Sequence, residues 1–179
     1  MAYFNEKLYL TISSIDDISL FRRIDNHIIR YRLNTTEYES NFNTISEDIL
    51  GEFSVTIDKW DIIYLVYQDT SFNLILLLLD GDEIKSIKLT EDPIPEIYYL
   101  NISMCEGIPH IFYFVSTSKG DGKYKLYHHN YDGRYWNTYI VDDIRVGKLL
   151  NPMKVFNRDG KLIIAYYNGE EYHILLYIS

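Results

Sequence analysis

Short runs of β-branched, aromatic and leucine residues alternate along the chain with polar turns, and no stretch repeats its apolar positions at the helical period. The run "DIIYLVYQ" (61–68) shows the type. Ile63, Leu65 and Tyr67 fall on one side of a strand and Ile62, Tyr64 and Val66 on the other, because successive strand side chains point to opposite faces. A strand with one wet face would alternate apolar with polar. The pattern therefore predicts strands covered on both faces. Only "SEDILGEF" (46–53) leaves room for a short helical turn.

The runs recur. "KLYLTIS" (7–13), "DIIYLVYQ" (61–68), "PHIFYFVS" (109–116) and "KLIIAYYN" (161–168) align with steps of about 54, 48 and 52 residues, in the range of a propeller blade. Each is followed by a second run: "ISLFRRIDN" (18–26), "FNLILLLLD" (72–80), "KYKLYHHNYD" (123–132) and "EYHILLYIS" (171–179). Turns beginning at Asp25, Asp80 and Asp132 come next, and a further run leaves each of them. Asp-Asn and Asp-Gly tolerate the positive φ of tight hairpins. A short run precedes each unit, "FSVTI" (53–57), "IYYLNIS" (97–103) and "MKVFN" (153–157), and residues 2–5 are expected to supply it for the first.

The segment "YHHNYDGRYWNTYIV" (127–141) resembles the Asp-box turn S-x-D-x-G-x-x-W of sialidase-type propellers. Asp132 and Gly133 are adjacent here instead of separated by one residue, and His or Asn holds the Ser position. Its value is architectural. The whole pattern resembles propeller repeats and, in unit count, hemopexin-like domains, without the cysteine pair that often closes those rings.

The expectation is an all-β fold: a small β-propeller of about four four-stranded blades in one domain over 1–179, with units at about 2–34, 53–90, 97–143 and 153–179. A β-sandwich is the alternative. Adding the two-unit offset of about 100 residues to Asp80 passes the end of the sequence at Ser179. The last blade should therefore lack its outermost strand, either because the natural chain continues or because the edge stays open. Open edges invite pairing, so a second copy bound through 171–179 is the expected oligomer contact.

Composition narrows the partners. A net charge of −9 argues against a nucleic-acid backbone, and alternation splits the cluster Arg22, Arg23, Arg30 and Arg32 between faces. The longest apolar run, "LILLLL" (74–79), is far short of the roughly 18 residues of a membrane span. "MAYFNEKLYLTIS" carries neither a basic region nor an apolar signal core. Cys105 is the only cysteine, which excludes an internal disulfide and fits a reducing compartment. A cytoplasmic location follows as the expectation.

Candidate chemistry is sparse. There is no nucleophile elbow and no phosphate cradle, and His128 and His129 must point to opposite faces and cannot share one ion. No catalytic residue, metal or cofactor is predicted. Loops expected at one end of the disc are acidic: Asp16, Asp17, Asp69, Asp92, Asp142, Asp143 and Glu170, with Tyr38 on the longest loop, 35–52. The reading is a non-catalytic binding module recognising a partner on that acidic face. The alternatives are a carbohydrate binder using tyrosines or a glycosidase-like propeller using paired acids, and a self-assembling structural domain. Eighteen tyrosines suit sugar or protein surfaces, though a coding bias toward Ile, Tyr, Asn, Asp and Lys is the simpler account of them.

Overall fold

The computed structural model describes residues 7–33, 41–117, 122–150, 152–158 and 161–177. Every regular element among them is a β-strand. The first antiparallel sheet contains β1 (Leu8–Ile12), β2 (Ile18–Ile24), β3 (His27–Leu33) and β4 (Asn41–Ser46). The second contains β5 (Ile49–Ile57), β6 (Ile63–Asp69), β7 (Leu74–Asp80) and β8 (Glu83–Lys88). In the third are β9 (Ile97–Cys105), β10 (Ile108–Ser116), β11 (Lys123–Tyr131) and β12 (Trp136–Arg145). The fourth has three strands: β13 (Met153–Arg158), β14 (Lys161–Tyr167) and β15 (Tyr172–Tyr177). Each sheet is a meander built from one stretch of chain, so the units are blades and not layers of a sandwich.

Successive blades meet along their first strands, β1 against β5, β5 against β9 and β9 against β13. The double-sided strands explain why. Leu65 joins the core between the first two blades, with Phe21, Ile28, Phe53 and Leu77, while its neighbour Val66 joins the core between the second and third, with Leu76, Ile102 and Tyr113. On β10, Ile111 belongs to that second core and Phe112 to a third, which holds Phe114, Leu126, Leu162 and Ile164. Burying each such side chain contributes about 1.5–3 kcal/mol. A strand apolar on both faces is thus the sequence signature of a blade held between two others.

The phase of the first unit differs from the expectation. Residues 8–12 form the first strand of their blade, not the second, and residues 41–46 of the expected loop form its fourth. The Asp25–Asn26 turn joins the second and third strands, whereas Gly81–Asp82 and the turn at Asp132 join the third and fourth. Turn chemistry reports a reversal of the chain, not its place in a sheet. β4 was hard to see because "NFNTIS" offers only Phe42 and Ile45 as apolar residues. "SEDILGEF" closes β4 and opens β5 with no helical turn.

Candidate functional site

That change of phase decides which end of the disc each loop occupies. Asp69, Asp92, Asp142, Asp143 and Glu170 lie at the end carrying the 70–73, 89–96, 146–152 and 168–171 connections, where Val146 N–H donates to Gly122 O and Arg145 N–H to Asn168 O. Asp16 and Asp17 lie at the other end, beside the β5–β6 turn, because Ser14 N–H and Oγ donate to the two carboxylate oxygens of Asp61 at 2.7 and 2.5 Å. A single acidic face containing all seven is therefore corrected to two groups at opposite ends. Tyr38 lies outside the described residues.

Several of these acids are engaged in their own loops. Asp69 accepts from the backbone and side chain of Asn73 at 2.7 and 2.9 Å, Asp142 accepts from the Tyr166 hydroxyl at 3.0 Å, and Asp143 lies 3.5 Å from Lys125 Nζ. Asp92 and Glu170 are exposed. Among the described residues no group of three or more His, Cys, Asp or Glu side chains is placed to hold a metal ion. His128 and His129 do face opposite sides: His128 meets His110 at 2.9 Å, and His129 meets the Tyr113 hydroxyl at 2.6 Å. Cys105 is buried, and that burial, with Glu106 beside it, raises its thiol pKa. A thiol so placed is a poor nucleophile.

The built polar site is elsewhere, in the seam between the first two blades. Ser13, Ile15 and Asp17 from the β1–β2 loop, Ser19 and Arg30 from β2 and β3, Asp61 from the β5–β6 turn, and Asp80 with Gly81 line a cleft of about 150 Å³. It would admit a small polar group, since pockets for drug-sized ligands run to ~300–1,000 Å³. Arg30 is its base, with 8% exposure. Nε donates to Ser19 Oγ at 3.0 Å and Nη1 to Gly81 O at 3.1 Å, and the guanidinium lies 5.9 Å from the centre of the Phe21 ring. Burial, then the neighbouring Arg32, lowers its pKa, while Asp82 and Asp17 oppose the shift.

A guanidinium has five N–H donors. Two of those on Arg30 are used, and no carboxylate oxygen of a described residue comes within ion-pair distance of it. No guanidinium nitrogen of Arg30 is both buried and without a partner, so its remaining N–H groups are open to the cleft it lines and can donate to acceptor oxygens. Around it stand Asp17, Asp61 and Asp80, which accept and do not donate. Asp61 is held below the usual carboxylate range by the two Ser14 hydrogen bonds. Sequence reasoning had set Arg30 aside as one arginine among several. The available signal was a charge in the buried phase of a strand, two places after Ile28 on β3.

No family model matches the chain, and no curated protein does. Solved structures do match in shape. The Aleuria aurantia lectin in complex with Fucα1-6GlcNAc aligns with a TM-score of 0.62 at 12% identity, over 98% of this chain and 65% of that one. The SapL1 lectin in complex with α-methyl fucoside aligns at 0.60 and 13%, over 96% and 60%. A bifunctional GH43-CE protein of Bacteroides eggerthii aligns at 0.54 and 16%, over 94% and 24%. The fold is a β-propeller. The chain spans no more than 65% of the length of any of these three proteins, and at such identities the likeness is one of fold.

Proposed function

We propose that the protein is a non-catalytic carbohydrate-binding module that holds a neutral sugar in the seam between its first two blades. The observation that carries this reading is Arg30: a largely buried side chain whose guanidinium makes two hydrogen bonds and opens its other N–H groups to a small cleft walled by carboxylates. An anion would gain from Arg30 and be repelled by Asp17, Asp61 and Asp80. A pair of sugar hydroxyls suits both, accepting from the guanidinium and donating to the carboxylates, while Ile15 and Ile57 offer apolar surface for ring C–H groups. Two of the fold neighbours were solved with fucosides, which makes fucosides the first sugars to try. Asp61 is a poor general acid, because that role needs a raised pKa and this one is lowered.

The test is calorimetry or a glycan array on the intact chain, α-methyl fucoside included, with Arg30→Met as the variant. Hydrogen bonds to a charged donor are worth about 1.5–3 kcal/mol, so affinity should fall ~10- to 150-fold. The variant should remain folded, since an apolar replacement of an incompletely paired buried charge is often neutral or stabilising. Unchanged affinity in Arg30→Met, or no saccharide bound at all, would reject the reading.

A further inference from the structure

Four blades arranged in a ring have four seams, yet the described residues form three cores. Each core joins one face of a blade to the opposite face of the next. What remains is the outward face of the first blade and the outward face of the fourth, and each carries an apolar row, with Arg22 beside the first and Lys154, Arg158 and Lys161 beside the second. On the first, a cross-strand row runs Leu10, Leu20, Tyr31 and Phe42, and Leu8, Leu10 and Ile12 are each more than half exposed. On the fourth, the row is Phe156, Ile163 and Leu176, and Ile174 in the adjacent row is 73% exposed. Contiguous exposed apolar faces of this kind mark interaction sites.

We propose that these two flanks are an interface between copies of this chain, the fourth blade of one seated on the first blade of the next. The occupant follows from the pattern of the seams within the chain. Every internal seam pairs the same two kinds of face in the same order, and the two faces left over are the matching pair. Head-to-tail contact reproduces a seam the sequence already makes three times, whereas contact between two first blades would pair like with like.

Area supports it. The smaller of the two faces has three strands about 4.8 Å apart, each of roughly six residues rising 3.3 Å, so about 300 Å² of each face can be covered. One seam then buries about 600 Å² over both partners, and two bury about 1,200 Å², the lower end of stable interfaces. A closed assembly covers every flank, where a single contact leaves two bare. This route differs from ladder pairing at the 171–179 edge: it uses side chains of the sheet faces, not the free backbone of β15.

The test is mass by light scattering across a concentration series, with Leu10→Lys and Ile174→Lys as variants. Both positions are exposed, so the blades should keep their thermal stability. The native chain should run at a multiple of 21.3 kDa, and each variant alone as a monomer, because each lacks one of the two flanks every contact requires. Mixing the two variants leaves one intact seam per pair, less than a stable contact needs, so the mixture should also run as monomers. A native monomer at all concentrations overturns the proposal and leaves the flanks to a different partner. An Ile174→Lys variant that still dimerises while Leu10→Lys does not would overturn it in favour of first-blade self-pairing. Neither residue lines the Arg30 cleft, so this outcome and that of the sugar-binding test are independent.

Discussion

Gly169→Ala is expected to destabilise the protein by at least about 4 kcal/mol, beyond the range of ordinary single substitutions. Gly169 sits between β14 and β15 with φ at +111°, where side-chain-bearing residues are strained. A Cβ built there would come 1.8 Å from the backbone oxygen of Arg145 and 2.7 Å from its carbonyl carbon. Nothing flexible can yield, because the obstacle is main chain. The Arg145 segment is itself tied to this turn by its N–H bond to Asn168 O at 2.7 Å. Relieving the clash means separating the third and fourth blades at their loop end, beside the core holding Ile144, Ile164 and Tyr166.

Gly81→Ala provides the control. Gly81 also has positive φ, at +58°, but a Cβ there meets nothing within 4 Å. It should therefore cost only the left-handed backbone penalty, about 1–2 kcal/mol. Urea midpoints of the two variants decide the matter. If both shift by the same small amount, the close approach of Gly169 to Arg145 does not hold in solution.

The same geometry shows how much was readable beforehand. Strands apolar on both sides, such as β6 and β10, signalled blades because only a blade flanked by two others buries both faces. The three-stranded last blade was legible from the period alone. The phase of the first unit was not. Asp25–Asn26 has the turn chemistry of Asp80–Gly81, and Asp25 does adopt positive φ, at 55°, but nothing local distinguishes a second–third hairpin from a third–fourth one. A shift of one strand moves every loop of that blade to the other end of the disc. It split the expected acidic face, and it hid the approach of Asp17, Arg30 and Asp61, which lie far apart in sequence and meet only when β1 is the first strand.

Stability should also fall steeply as the solution is made mildly acidic. His128 and His129 are each 2% exposed. His128 stacks on Phe112 at 4.4 Å and meets His110, while His129 is held between the Tyr113 hydroxyl and Thr138 Oγ1 at 2.6 and 2.9 Å. Burial, and then the charges His110 and His129 would carry, pushes His128 down to about 3; burial alone takes His129 to about 4. His110 is lowered too, again by burial. In the unfolded chain these rings titrate near 6.5. Between 6.5 and 4 the unfolded state therefore binds protons that the folded state refuses, and stability drops with falling pH.

Above about pH 7 neither state is protonated and the contribution is constant. Losses begin as pH passes the unfolded value and level off only below the folded values. At pH 5 the two most displaced rings together should cost roughly 4 kcal/mol, a large share of the 5–15 kcal/mol available to a domain of this kind. His129→Gln keeps an acceptor for Tyr113 and removes one titrating group. Its stability should fall about 2 kcal/mol less than the native chain's between pH 7.5 and pH 5. Parallel pH curves for the two proteins would mean that His129 is protonated in the fold and that the third blade is open to water where its ring lies.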